Sequence, residues 1–160
     1  MGKTTAALRL VDLLTDAGIP VTGFITREIR ERRRRLGFGI ESLGGESGIL
    51  AHVDIQGPPR VGKYGVDLEA FERLAIPSLS ATAGVTVIDE LGKMELASEG
   101  FRQAVSALFA QPQPVVATVH AHRHPFTDAL KGRADVETLP VNRKTRDRLP
   151  AQLARRLAAS

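Results

Sequence analysis

Apolar residues recur at Ala7, Leu10, Val11, Leu14 and Ala17, the spacing of one helix face. Gly18 follows as a C-terminal stop. The period then changes. Residues 20–26 (PVTGFIT) are rich in β-branched side chains and predict a strand. Residues 36–43 (LGFGIESL) predict another, with Phe38 and Ile40 on one face, and residues 48–53 a third after the Gly44-Gly45 turn. The arginine-rich run between the first two reads as a hairpin connection. Beyond the GPPR break, residues 61–66 suit a short strand. Asp67 then caps a helix through Leu68, Phe71 and Leu74 that Pro77 limits, with a further helical turn expected over residues 77–83.

The densest apolar run is Val85-Thr86-Val87-Ile88, which Asp89 and Glu90 end. Phe101, Val105, Leu108 and Phe109 mark an amphipathic helix from about Ser98. Residues 114–119 (PVVATV) predict a second short apolar strand, residues 120–125 a polar loop and residues 126–131 a helical turn. Residues 135–141 (DVETLPV) read as an edge strand, because Pro140 cannot donate to a ladder. Asn142 is expected to cap a last helix bearing Leu149, Leu153 and Leu157, with Pro150 awkward in its interior. Short continuous apolar strands alternating with helices suit a parallel sheet covered on both faces. The expected fold is a three-layer α/β domain with a β-rich insertion after the first helix.

Composition narrows the class. At 160 residues the chain has the length of one domain, and its 42% apolar and 25% charged content is that of an ordinary globular protein. The absence of Cys excludes disulfides and thiolate metal sites and fits a cytoplasmic location. No apolar run approaches the roughly 18–20 residues of a membrane span, and no signal-peptide pattern opens the chain. The net charge of +4 traces to residues 27–35, where six Arg face only Glu28 and Glu31. A solvated hairpin tip is favoured there over an RNA or DNA contact, and a lid over nucleotide phosphates is a third reading.

Candidate chemistry begins at Gly2-Lys3-Thr4-Thr5, the back half of the phosphate loop G-x-x-x-x-G-K-[ST]. Such a loop turns backbone N–H groups at a helix start toward an anion, which the Lys neutralises, while the hydroxyl meets Mg²⁺. Asp89, at the end of an apolar strand, suits the Mg²⁺ shell, and Glu90 suits the orientation or deprotonation of an attacking water. Mg²⁺ needs one or two such oxygen ligands beside phosphate and water, here Thr4 and Asp89. Lys93, the arginine run and Arg143 are candidate charges for the transferred oxygens. His120, His122 and His124 read as a polar loop ahead of a metal site.

Val87-Ile88-Asp89-Glu90-Leu91-Gly92-Lys93-Met94-Glu95-Leu96 resembles V-I-D-E-I-G-K-M-E-L of the THEP-type nucleoside-triphosphatases, which are P-loop enzymes. Gly23-Phe24-Ile25-Thr26, Gly37-Phe38, Val61-Gly62-Lys63-Tyr64 and Asn142-Arg143 extend the likeness nearly end to end. The resemblance implies a RecA-like sheet domain with a β-hairpin insertion. It also implies Mg²⁺-dependent hydrolysis of ATP, GTP, CTP and UTP with broad base selectivity. Carried over by position, Gly2, Lys3, Thr4 and Thr5 form the end of the phosphate loop. Val85, Thr86, Val87, Ile88, Asp89, Glu90, Leu91 and Gly92 form the second nucleotide-binding segment. Lys3, Glu90 and Lys93 are the catalytic candidates.

A small nucleotide kinase and a nucleotide-dependent nucleic-acid-binding switch are the other classes in play, and a monomer is the default state. Family members carry a strand and a G-x-P-G-x ahead of G-K-T. The resemblance therefore implies an N-terminally truncated single domain, with the strand expected beside the one ending at Asp89. A GTG valine codon read as a start would account for Met1. The upstream DNA is expected to encode, in frame, an apolar stretch ending G-x-P-G; a stop codon immediately before Met1 would refute this.

Overall fold

The computed structural model describes residues 2–80 and 84–159. Helix α1 (Lys3–Asp16) leads into three antiparallel strands: β1 (Val21–Glu31), β2 (Arg34–Ser42) and β3 (Ser47–His52). The small strands β4 (Arg60–Val61) and β5 (Tyr64–Val66) precede α2 (Leu68–Ser78). Then come β6 (Val85–Leu91), α3 (Glu99–Phe109), β7 (Val115–Val119), α4 (Pro125–Lys131) and α5 (Leu149–Ala158). All seven strands form one sheet in the order β4-β5-β3-β2-β1-β6-β7. Its core strands β1, β6 and β7 are parallel, and β2 to β5 extend it as an antiparallel wing. This is the expected α/β architecture, with a larger insertion than one hairpin.

Strand periodicity sorts β6 between two cores. Val85 and Val87 face Ala7, Leu10 and Leu14 of α1, with Leu153 and Leu157 of α5 packed alongside. Ile88 faces the opposite cluster, which Leu91 joins past the irregularity between Ile88 and Leu91. There Phe24, Phe71 and Phe101 meet edge to face with centroids 5.8, 5.7 and 4.9 Å apart, binding α2 and α3 to the sheet. Gly23 lets β1 approach β6 closely: at φ 109° a Cβ there would lie 1.9 Å from the Val87 carbonyl oxygen.

Several boundaries differ from the sequence reading. Most of the arginine run is strand, with only Arg32 and Arg33 between β1 and β2, because cross-strand pairs such as Arg27–Glu41 support the ladder. Residues 61–66 make the tight hairpin β4–β5 in place of one strand. Pro77 lies inside α2, which ends at Ser78; the helical turn expected over residues 77–83 reaches residues 81–83, outside the described ones. Residues 135–141 form no strand, since Pro140 lacks a donor and no ladder reaches them. Asn142 caps only a turn, accepting from the amides of Lys144 and Thr145 at 2.8 and 3.1 Å. Helix α5 starts later, with Pro150 in its first turn, where the missing N–H costs nothing. The position beside the strand ending at Asp89 is not vacant: β1 and β7 occupy both edges of β6. Among the described residues the parallel end of the sheet is β7, all of whose residues stay half-exposed. No helix among the described residues is long and apolar enough to cross a membrane.

One carboxyl is buried against this pattern. Glu95, in a 3-10 turn (Glu95–Ala97) after β6, is 4% exposed. Burial, followed by repulsion from Glu90 and Asp89, pushes its pKa from 4.5 up to about 8. The folded state thus keeps a proton that the unfolded chain has released between those values, so stability falls as pH rises through the window. Thermal unfolding from about pH 5 to 8 is expected to show this loss, on the order of a few kcal/mol in all. Glu95→Gln should remove most of the slope, with a remainder from Asp89, which burial also raises. An unchanged slope in the variant would mean that Glu95 is ionised in the fold.

Candidate functional site

The start of α1 is built to meet an anion. Gly2 takes the left-handed conformation at φ 83°, and the first intrahelical bond runs from the Ala6 amide to the Gly2 carbonyl at 2.9 Å. The amides of Lys3, Thr4 and Thr5 therefore have no partner within the helix. No side chain caps this end, and its first turn holds no acid. The helix dipole adds positive potential there.

Asp89 continues the α1-facing side of β6 beyond Val85 and Val87, so its carboxylate points to this helix start. Thr4 Oγ1 donates to Asp89 Oδ1 at 3.2 Å, and Thr118 Oγ1 of β7 donates to the same oxygen at 2.6 Å. Burial raises the Asp89 pKa; the hydrogen bonds from Thr118 and Thr4 oppose this, Glu90 adds to it, and a bond from the Thr26 amide lowers it. Asp89 is 1% exposed, and its Oδ2 is buried without a partner. A buried carboxylate oxygen with an open valence, next to a hydroxyl, is a hard oxygen donor set that fits Mg²⁺.

Lys3 folds back over the ends of β6 and β7. Its Nζ donates to the Val119 carbonyl at 3.0 Å and lies 3.3 Å from Glu90 Oε2. Glu90 and Glu95 converge over Gly92, where an added Cβ would lie 3.0 Å from an Oε1 of each. Glycine at 92 leaves the room that these carboxyl groups fill.

Gly2, Lys3, Thr4, Asp89 and Glu90 are thus gathered at one end of the parallel strands. Thr5 is exposed on α1. Val85, Thr86, Val87 and Ile88 lie inside the sheet, with Leu91 also buried, so they carry Asp89 and Glu90 without reaching solvent. The Thr86 hydroxyl accepts from Gln113 at 2.6 Å and meets Thr22 at 3.2 Å. Lys93 and Arg143 are exposed and form no salt bridge among the described residues.

The His120 ring is centred 5.6 Å from that of His122 and 6.3 Å from that of His124, but the three differ in surroundings. His120 is 7% exposed, burial holds its pKa below the usual value, and its Nδ1 has no partner. His122 is exposed. His124 accepts from the Phe126 amide at 3.1 Å and caps α4. No group of three potential ligands able to hold a metal occurs among the described residues.

Sequence reading missed Thr118, the Val119 carbonyl, Glu95 and Arg146. The stem of Arg146 lies over Gly2, with Cδ 3.3 Å from where a Cβ would stand. Thr118 had a signal, as the one hydroxyl within an apolar strand. Arg146 had none, because only folding brings it to residue 2.

Comparison with known proteins agrees with this geometry. The NTPase family matches residues 1–154. The nucleoside-triphosphatase THEP1 of Thermotoga sp. (strain RQ2) is 43% identical over 152 residues, covering 93% of this chain and 85% of that protein. The human cancer-related nucleoside-triphosphatase is 38% identical over 165 residues, covering 93% and 87%. The solution structure of a human cancer-related nucleoside triphosphatase superposes with a TM-score of 0.85 at 35% identity, over 100% of this chain and 93% of that one. The crystal structure of THEP1 from the hyperthermophile Aquifex aeolicus gives 0.85 at 30% identity, over 98% and 93%. With the family matched over nearly the whole chain and the same fold in both structures, this chain belongs to the THEP1 family of nucleoside-triphosphatases.

Proposed function

We propose that the chain hydrolyses nucleoside triphosphates to the diphosphate and phosphate, with Mg²⁺ and with little selection among ATP, GTP, CTP and UTP. The observation that carries this reading is the Thr4–Asp89 hydrogen bond, 3.2 Å long. It joins an anion-binding helix start to the carboxylate that ends a buried parallel strand. Weak base selectivity accords with a site whose polar groups all stand at the phosphate end.

Gly2 and the amides of Lys3, Thr4 and Thr5 cradle the phosphates, and Lys3 Nζ neutralises them. Thr4 Oγ1 and Asp89 Oδ2 would hold Mg²⁺, which when bound offsets charge on the phosphate oxygens. Glu90 takes the proton of the attacking water as its oxygen bonds the γ-phosphorus, and the bridging oxygen leaves with the bonding pair. Lys93 supports the transferred oxygens from the loop after β6. In the resting chain Lys3 lies on Glu90, so phosphates that draw the lysine away also free the base. The reading extends to a monomer acting in the cytoplasm as one P-loop domain.

Glu90→Gln is expected to keep nucleotide affinity while turnover falls at least about 100-fold. Phosphate release and nucleotide titration measure the two; equal turnover would remove Glu90 from the mechanism. Release from all four triphosphates should agree within about tenfold, as expected where no group reads the base, and stop when a chelator removes Mg²⁺. Release only on addition of a second phosphate acceptor would assign a kinase instead.

A further inference from the structure

The arginines of the β1–β2 ribbon fall into two sets. Arg27 pairs with Glu41 at 2.7 Å. Arg30 and Arg35 share Glu28 at 2.7 and 3.3 Å, and Arg35 also donates to the Tyr64 hydroxyl at 2.9 Å. Arg32, Arg33 and Arg34 are exposed and form no salt bridge among the described residues. Glu31, opposite Arg34 in the ladder, forms none either. The ribbon therefore ends in three adjacent unneutralised guanidinium groups against one carboxylate. Hydrolysis as derived above uses none of them.

Register fixes where the tip stands. Phe24 lies opposite Ile88; β6 ends at Leu91, whereas β1 runs on to Glu31. At about 3.3 Å per residue the ribbon overhangs β6 by roughly 13 Å, on the same side of the sheet as Asp89 and Glu90. Asp89 is level with Ile25, one residue past the Phe24–Ile88 pair, so Arg32 lies roughly 23 Å further along the strand. That distance exceeds the length of a triphosphate ending at Asp89, so the tip stands beyond the phosphates of the proposed site. Its charge suits a larger ligand that carries repeated negative charge.

The shape narrows the choice. Past Leu36, where β3 and Val53 no longer pair with β2, the hairpin end is two-stranded; such a tip fits the major groove of B-form DNA, about 12 Å wide, and its arginines then reach backbone phosphates. The deep, narrow major groove of duplex RNA does not admit it. Unpaired bases need aromatic platforms, and the two rings near the ribbon, Phe38 and Tyr64, are covered by Arg35 at 5.1 and 5.7 Å. We propose that the β1–β2 ribbon is an arm for duplex DNA, in which Arg32, Arg33 and Arg34 contact the phosphate backbone without reading sequence.

The test is fluorescence anisotropy of the full chain with a labelled mixed-sequence DNA duplex between about 20 and 200 mM KCl. Three phosphate contacts predict a slope of log affinity against log salt of about −2.7. Alanine at Arg32, Arg33 and Arg34 together should cut low-salt affinity at least about tenfold and bring the slope near zero. Lysine at the same three positions should retain both, and phosphate release without DNA should stay at the wild-type rate in both variants. No binding at the lowest salt, or wild-type binding by the alanine variant, overturns the proposal. So does binding of single-stranded DNA or duplex RNA as tight as duplex DNA. Loss of phosphate release by the alanine variant without DNA overturns it too, by assigning the tip to the nucleotide.

Discussion

The buried Asp89 carboxylate ties the site together. It stands near the end of β6 and accepts from Thr4 at the start of α1 and from Thr118 on β7. A carboxylate at 1% exposure is costly unless its charge is answered. Here two donors from two neighbouring elements answer one oxygen, and the other oxygen is left over. Losing any one donor would raise the cost of keeping the group ionised and loosen the element that supplies it. Fold and site are coupled at this atom pair.

The two cores serve that coupling. Val85 and Val87 press α1 against β6 so that its first turn reaches Asp89, while the three phenylalanines hold β1 and β6 to α2 and α3 from the other face. The glycine at 23 lets β1 lie close against the Val87 carbonyl of β6. Beyond β6 the chain turns at Gly92 and buries Glu95 under Glu90. Carboxyl groups crowd this end of the sheet, and only Lys3 reaches in as a counter-charge among the described residues.

Much of this was legible in the residues. The 3.6-residue period located α1 and α3, and VTVIDE located the strand that carries Asp89 and Glu90, because those signals are local. Asp67 was readable as a cap for the same reason, and it accepts from the Ala70 amide three residues on. What was not legible depends on contacts between distant segments. Residues 135–141 have strand-like composition but no ladder to join, and Arg146 reaches Gly2 only through the packing of the C-terminal segment. The arginine run looked like a loop because charge density hides strand pattern; its ion pairs across the ladder make it a strand. The place of the strand expected beside Asp89 depended on sheet order, which no local pattern encodes.

Strand β1 has a mechanical consequence. The same eleven-residue strand pairs with β6 up to the Phe24–Ile88 pair, one residue before Asp89, and then continues to the arginine-bearing turn. It is interrupted only by the irregularity between Ile29 and Arg30. A paired ribbon is far stiffer than a loop of the same length. Force applied at its tip is therefore delivered as torque at the root, where β1 pairs with the residue before Asp89.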